Sequence, residues 1–238
     1  MTGRQPMFNI PASVVVAALA LVALHVVRVA LPPQAGLTML LALAFIPARY
    51  AGPTPDLPGG ELSDVTSFIT YMFVHGDMTH LTINTIWMLA FGSAVAKRIG
   101  DLRFVMFSVL CGIAGALVHL TLHFGEMVPV VGASAAISGQ MAGAIRFMFG
   151  TSRVIMPLPD NLEAIPLAGI METLTNPRFL IFLGVWAALN LLFGLGGLQL
   201  NGSGAGIAWE AHIGGFLCGL FAFGAFDRGV QNGRNAPY

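Results

Sequence analysis

The chain has 238 residues, of which 56% are hydrophobic and only 9% are charged, and its 11 basic and 11 acidic residues give a formal net charge of zero. Soluble domains carry roughly 25% charged residues, so this composition excludes an ordinary soluble globule and indicates a membrane protein. The apolar content also argues against intrinsic disorder. The absence of a basic excess argues against nucleic-acid binding.

The apolar residues fall into six stretches that approach the roughly 20 residues needed to cross a bilayer. The sequence therefore predicts one membrane domain, residues 1–238, built as an all-α bundle of six transmembrane helices. In chain order, the predicted spans cover residues 10–31, 81–96, 104–122, 133–149, 179–195 and 207–226. Between the first two spans, residues 36–47 are too short to cross, and residues 50–64, rich in glycine and proline, are expected to form an exposed loop.

Lysine and arginine in short loops set the orientation of a membrane protein, because they are retained on the cytoplasmic side. With the N-terminus placed in the cytoplasm, nine of the eleven basic residues face the cytoplasm, and only Arg28 and Arg49 face the other side. Both termini are therefore predicted to be cytoplasmic. The short tails suggest the inner (plasma) membrane of a bacterium.

Polar side chains are scarce inside the predicted spans, and each one is costly in a bilayer. The start of the second span carries His75, His80 and Asn84, and the last two share a helix face because they are four residues apart. Interfacial histidines, together with an asparagine that bonds a neighbouring helix, would explain this group equally well.

Two further polar groups lie at the start of the fourth and sixth spans. Ser134 follows Gly132 at the predicted N-terminus of a helix, where serine is also a common cap. His212 lies three residues before Gly215, which with Gly219 forms a face that lets another helix pack closely. Taken singly, a capping serine and a histidine satisfied within the bundle are the simpler explanations.

The three polar groups share a depth in the membrane. Asn84, Ser134 and His212 lie roughly 18–24 Å from the cytoplasmic end of their helices, at 1.5 Å per residue. Because these three spans are predicted to run in the same direction, the side chains occupy one layer in the outer part of the bilayer. A serine, a histidine and an amide donor at one level are the components of a nucleophilic acyl-transfer site.

In this order, the three groups resemble the motifs of the rhomboid family of intramembrane serine proteases. The pattern His-x₄-His-x₃-Asn begins at His75, the pattern Ala-His-x₂-Gly-x₃-Gly begins at Ala211, and both match fully. The family's Gly-x-Ser-Gly block begins at Gly132, but Ala135 replaces its final glycine. The resemblance covers residues 10–227 and implies a six-helix core with a Ser–His dyad.

The resemblance implies a role for each residue of the three motifs. Ser134 would be the nucleophile and His212 its general base, while His80, Asn84 and the backbone N–H of Ser134 would form the oxyanion hole. The supporting positions would be His75, Gly132, Gly215 and Gly219. No cofactor, no metal and no nucleic-acid partner are implied. The substrates would be single-span membrane proteins cut within the lipid bilayer, near its outer face.

Two residues depart from the family pattern and leave alternatives open. Ala135 adds a methyl group next to the expected substrate carbonyl and would narrow the site. Ser138 lies one helical turn from Ser134, where some members carry an aromatic ring that packs on the catalytic histidine. Ser138 is also a rival nucleophile, although the helix-terminal position of Ser134 after Gly132 favours Ser134.

Two other functions are therefore kept as alternatives. One is a rhomboid-like protein with impaired catalysis that binds transmembrane helices. The other is a small transporter, although the internal repeats or broken helices typical of transporters are not evident. Retention of both Ser134 and His212 favours the protease.

Several polar residues near the outer ends of the spans receive no catalytic role. Arg28 is expected to reach toward the membrane surface, and Glu210 is expected to face water. His119 and His123 are four residues apart and resemble a metal-binding pair. Glu126 is the one candidate third ligand nearby in the sequence, so interfacial histidines are the favoured explanation.

Overall fold

Helices form the regular structure of the residues that the computed structural model describes, which are 10–52, 57–149, 162–194 and 208–227. Within these ranges the α-helices are α1 (Ala12–Ala30), α2 (Pro33–Leu43), α3 (Gly60–Thr70), α4 (Met78–Trp87), α5 (Ser93–Ile99), α6 (Asp101–Leu122), α7 (Ser134–Met148), α8 (Ile170–Thr175), α9 (Pro177–Gly194) and α10 (Trp209–Phe226). A π-helical segment, Met88–Gly92, lies between α4 and α5. Short 3₁₀ turns cover Pro47–Tyr50, Tyr71–Phe73 and Leu162–Ala164.

Four helices in the described part of the chain, α1, α6, α9 and α10, are long and apolar enough to cross a membrane. Large apolar side chains on their outer faces are exposed, such as Val16 of α1 and Ile181 of α9, as lipid contact requires. The prediction of an all-α membrane bundle is therefore confirmed. The number of six spans stays a prediction, because α7 has 15 residues and the second predicted span is divided.

The second predicted span is a continuous helical run over residues 78–99, in which α4, the π-helical segment and α5 follow one another. At the end of the π-helical segment, Gly92 lies close to α7, since a Cβ added there would lie 3.0 Å from the Gln140 Oε1. Segments of this kind occur frequently at functional sites. Here the segment separates the polar start of the run from its basic end.

The stretch predicted as an exposed loop, residues 50–64, is partly helical. α3 begins at Gly60, after Gly59 turns the chain with a φ of +95° that favours glycine. Ser63 then donates a hydrogen bond to the backbone oxygen of Ala42, 2.7 Å away, and so ties α3 to α2. The loop prediction is wrong from residue 60 onward. Its glycines and acidic residues mark a turn and the first turns of a helix, where acidic side chains are favourable.

Some sequence predictions fall outside the described residues. These are the ends of two spans, Leu195 and Ile207, and four of the basic residues counted for the orientation, Arg4, Arg153, Arg228 and Arg234. Residues 36–47, expected to be too short to span, contain the C-terminal part of the 11-residue α2 and the start of a 3₁₀ turn.

α7 is the central helix of the bundle, and every residue from Ala135 to Phe147 is buried. α10 lies parallel to α7 and very close to it. A Cβ added to Gly215 would collide with the backbone oxygen of Ala135, and one added to Gly219 would collide with that of Gly139. Close contact of this kind stabilises helix pairs in lipid, where no hydrophobic force drives them together. Because both pairs step by four residues, they fix the register of the two helices.

A buried arginine joins several elements at the far end of the bundle. Arg98 of α5 is fully buried and donates two hydrogen bonds to the carboxylate of Asp227, at 2.9 and 2.8 Å. The Arg98 Nη1 donates to the backbone oxygens of Leu162 and Ile165. The guanidinium carbon lies 4.6 Å from the centre of the Phe147 ring. These contacts connect α5, α7, the end of α10 and the segment after residue 161.

Candidate active site

Ser134 and His212 meet at the N-terminal ends of α7 and α10. The Ser134 Oγ lies 2.6 Å from the His212 Nε2, which is a hydrogen-bonding distance. The register that brings Gly215 against Ala135 also brings these two side chains together, because each stands shortly before that contact in its helix. Both side chains are half-buried, so they lie at the edge of the packed core. A serine hydroxyl bonded to an imidazole has the geometry that nucleophile activation requires.

Asn190 of α9, which no motif predicted, holds the other side of the His212 ring. The Asn190 Oδ1 lies 2.5 Å from the His212 Nδ1. The Asn190 Nδ2 donates to the backbone oxygen of Trp186, 2.7 Å away, and this bond assigns Oδ1 to the side that faces the histidine. The proton then sits on Nδ1, and the lone pair of Nε2 points at Ser134. The network thus selects the tautomer that can accept the serine proton.

His80 lies against Gly132, at the turn that leads into Ser134. Gly132 has a φ of +106°, and a Cβ added there would lie 2.6 Å from the His80 ring, so both backbone and space require glycine. The Gly132 N–H donates to the backbone oxygen of Tyr71, 2.9 Å away. The His75 ring packs edge-on against His80, with centroids 5.0 Å apart. Burial lowers the pKa of His75 to about 3, so this ring is neutral at neutral pH.

Asn84 is buried one turn after His80 on α4. Its Nδ2 donates to the His80 backbone oxygen at 2.9 Å, and its Oδ1 has no hydrogen-bond partner among the described residues. An amide carries two N–H groups, so a second one is left to donate elsewhere. Asp77 caps α4 by accepting from the His80 N–H at 2.9 Å. The cap and the amide bond hold His80 and Asn84 on one face, as their spacing predicts.

Arg28 of α1 holds the loop before α4. Its Nη2 donates to the backbone oxygens of His75 and Gly76, at 3.0 and 2.9 Å. Arg28 thereby satisfies two carbonyls that no regular element pairs, and its expected reach toward the membrane surface stays a prediction. The side chain thereby fixes the loop that carries His75 against His80.

Both departures from the family pattern are accommodated in the packing. The Ala135 methyl group is buried against Gly115 of α6, where an added Cβ would lie 2.6 Å from it. The methyl group therefore occupies space between helices instead of narrowing the surface beside Ser134. The Ser138 hydroxyl donates to the backbone oxygen of Ser134 at 2.8 Å, so its proton is already engaged within α7.

Three contributing residues were not singled out by the sequence. Asn190 is a polar residue inside the apolar α9. Like Asn84, it is costly in a bilayer, and this cost marks it as a candidate functional residue. Asp77 stands at the position before a helix where a capping carboxylate is common. Arg28 gives no signal, because its partners are backbone oxygens 47 and 48 residues away.

The fold and the polar groups at the start of α7 define an all-α integral membrane protein with a buried polar site. The family model of the Rhomboid domain matches residues 62–227, so the chain belongs to the rhomboid family, as its three motifs predict. No curated relative matches the chain. The family is one of multi-pass intramembrane serine proteases that act on transmembrane substrates, and it also includes inactive members.

Proposed function

We propose that this protein is an intramembrane serine endopeptidase, which hydrolyses peptide bonds in or near the transmembrane segments of other membrane proteins. The observation that carries the proposal is the hydrogen bond of 2.6 Å between the Ser134 Oγ and the His212 Nε2. Asn190 on the far nitrogen of the ring supports the required tautomer. Family membership supports the class of reaction.

In the proposed reaction, the His212 Nε2 takes the proton of the Ser134 hydroxyl while the Oγ attacks the scissile carbonyl carbon. The imidazolium gives this proton to the leaving amine as the peptide C–N bond breaks, and an ester to Ser134 remains. Water then attacks the ester, and His212 again takes a proton and returns it to the serine. Asn190 accepts from the Nδ1–H throughout, so the ring keeps its orientation while its charge changes.

The proposed donors to the oxyanion are the Ser134 backbone N–H and the side chains of His80 and Asn84. The first N–H groups of a helix lack partners within it, and the helix dipole adds partial positive charge at that end. The contact of His80 with Gly132 and the second N–H of the Asn84 amide support these roles. One such donor contributes about 2.7–4 kcal/mol in a known serine protease.

We also propose that the chain crosses the bilayer six times, with the run 78–99 and α7 as the second and fourth spans. From Ser134 to the end of α7, and from His212 to the end of α10, the helices rise about 21 Å. These equal lengths support one shared depth for the two side chains. The proposed substrates are single-span membrane proteins in the lipid bilayer, and the bacterial inner membrane is the expected location.

Cleavage of a single-span test substrate by the protein purified in detergent tests the proposed dyad. Ser134→Ala and His212→Ala should each lower kcat by about 10⁴-fold or more, because each removes one half of the proton transfer. Ser138→Ala is the matched control and should keep near wild-type activity, because among the described residues its hydroxyl bonds the Ser134 carbonyl and not His212.

A serine-reactive fluorophosphonate separates the two serines in the same preparation. Labelling should disappear in Ser134→Ala and persist in Ser138→Ala, and the opposite pattern would overturn the choice of nucleophile. Equal cleavage by the wild type and both dyad variants would exclude the dyad. Binding of helical peptides without any cleavage would favour the rhomboid-like protein with impaired catalysis.

A further inference from the structure

A second polar cluster lies two residues before His212, at the start of α10. Glu210 is buried, so the prediction that it faces water is wrong. Its Oε1 lies 2.7 Å from the Nδ1 of His119 and 3.1 Å from the Nε2 of His123, at the C-terminal end of α6. The cluster therefore joins two helices that are separated by more than 80 residues of sequence.

The outer nitrogen of each imidazole ring also has an acceptor. The His119 Nε2 lies 3.1 Å from the backbone oxygen of Val128, and the His123 Nδ1 lies 2.8 Å from the Glu126 Oε2. Histidines that bind a metal usually donate their second N–H to a carbonyl or a carboxylate, which fixes the tautomer and turns the other nitrogen to the metal. Both rings of this cluster have that arrangement.

We propose that His119, His123 and Glu210 bind a divalent transition-metal ion of the zinc type, a ligand that the family resemblance does not imply. The ligand atoms are the His119 Nδ1, the His123 Nε2 and a Glu210 oxygen, which all lie within 4.8 Å of one another. A tetrahedral zinc ion with bonds near 2.1 Å needs ligand atoms about 3.4 Å apart. To reach this spacing, the contacts of the Glu210 Oε1 with His119 and His123 would lengthen from 2.7 and 3.1 Å by about 0.7 and about 0.3 Å. The two ring nitrogens, at most 4.8 Å apart, would approach each other by at most about 1.4 Å.

The charge of the cluster also suits an ion. Each of the four ring contacts ends on an oxygen that can only accept, so without a metal each ring nitrogen would have to donate a proton to make all four bonds. With a metal, two neutral imidazoles and one divalent cation face the carboxylates of Glu210 and Glu126. The ion replaces the protons on the His119 Nδ1 and the His123 Nε2 without changing the net charge of the cluster. This balance matters where charge is poorly solvated.

The burial of the three ligands indicates where the ion enters and what it does. The side chain of His119 is fully buried and that of Glu210 is 5% exposed, whereas that of His123 is 30% exposed. The open side at His123 leaves a fourth position for water, as in zinc sites with two histidines and one glutamate. An ion held there would tie the last turn of α6 to the first turn of α10. This role does not depend on the proposed proteolysis.

Titration of the full-length protein with Co²⁺ in detergent, after tag removal and chelator treatment, tests the site. The wild type should take up one equivalent with the visible spectrum of a four- or five-coordinate ion, and Zn²⁺ should displace it. His123→Gln and Glu210→Gln should abolish this spectrum. Glu126→Gln, which alters only the acceptor behind His123, should weaken binding by about 10- to 100-fold.

Glu163→Gln is the matched control, because Glu163 is exposed in the turn Leu162–Ala164, away from the cluster. It should bind Co²⁺ like the wild type, and so should Ser134→Ala, which separates this site from the proposed protease. Thermal unfolding checks the fold of each variant. If Glu210→Gln does not fold, His123→Gln tests the site in its place, because His123 is half-exposed and its substitution disturbs the packing less. Failure of the folded wild type to bind Co²⁺, or binding that survives His123→Gln unchanged, would overturn the proposal.

Discussion

At the scale of single residues, Asn190 is the side chain on which the tautomer of His212 depends. It lies on α9, a helix whose side chains are mostly exposed or half-buried, yet it hydrogen-bonds the His212 ring. Its amide is oriented by the Trp186 backbone oxygen, so the oxygen that faces His212 cannot rotate away without losing a second bond.

Removing the oxygen of Asn190 should lower the rate of cleavage and leave substrate binding unchanged. Asn190→Leu is expected to lower kcat by about 10- to 100-fold with KM little changed, because a hydrogen bond to a ring that becomes charged is worth about 1.5–3 kcal/mol. Asn190→Asp keeps an oxygen toward the Nδ1 and should restore much of the loss. Steady-state kinetics on the same transmembrane substrate measure both effects.

Asn176→Leu is the control for this substitution, since the Asn176 amide bonds the backbone oxygen of Phe149, away from His212. It should leave kcat unchanged. Wild-type kinetics in Asn190→Leu, or an aspartate no better than leucine, would show that Asn190 does not position the histidine.

The sequence predicts the pair Ser134 and His212 because both stand in motifs and at one depth along parallel helices. It could not predict Asn190 as their partner, because the contact depends on how α9 is rotated against α10. The apolar pattern of α9 leaves that rotation undetermined, since apolar side chains cover all its faces. The contacts of Glu210 with His119 of α6 and with His123, just after α6, could not be predicted either, because they join residues 91 and 87 positions apart in the chain.

At the scale of the elements, apolar length predicts the long helices well and the short ones poorly. Runs of apolar residues predict α1, α6, α9 and α10, because a helix pairs its backbone groups within its own segment, as the bilayer requires. α3 was missed because its start, at Gly60, looks like the end of a loop. Its stability comes from tertiary bonds such as the one from Ser63, which composition does not reveal.

The bonds of Arg98 should make it a major contributor to the stability of the bundle. Arg98→Met removes both guanidinium bonds to the buried carboxylate of Asp227, and breaking one side of a buried pair typically costs about 3–5 kcal/mol. Lys97→Met changes the exposed neighbour by the same removal of charge and should have little effect. Thermal unfolding in detergent compares the two variants, and equal midpoints would contradict a structural role for Arg98.

At the scale of the whole molecule, the few charged residues combine two roles. Arg98 and Arg146 were counted as cytoplasmic charges, but both are buried and bonded within the fold. Arg146 donates to the backbone oxygens of Leu220 and Ala168, and so joins α7 to α10 and to the residues before α8. The residues that indicate the orientation of the chain therefore also close one end of the bundle.

The proposed orientation, with both termini in the cytoplasm, predicts which end of the bundle a membrane-impermeant thiol reagent can reach. With Cys111 and Cys218 replaced by alanine, Met127→Cys should react in intact cells, because Met127 is exposed beyond the C-terminal end of α6. Lys97→Cys, at the opposite end, should react only after the membrane is permeabilised. The reverse pattern would show that the chain is inserted the other way.

The π-helical segment Met88–Gly92 has a consequence for how the run 78–99 can change. One residue more or less rotates everything beyond it by about 100° around the helix axis. The π-helical segment therefore sets the angle between the helix face that carries His80 and Asn84 and the face that carries Arg98. A deletion within Met88–Gly92 that restored a regular helix would misdirect one face or the other, although His80, Asn84 and Arg98 were all kept. The number of residues in this short stretch is thus as tightly specified as their identity.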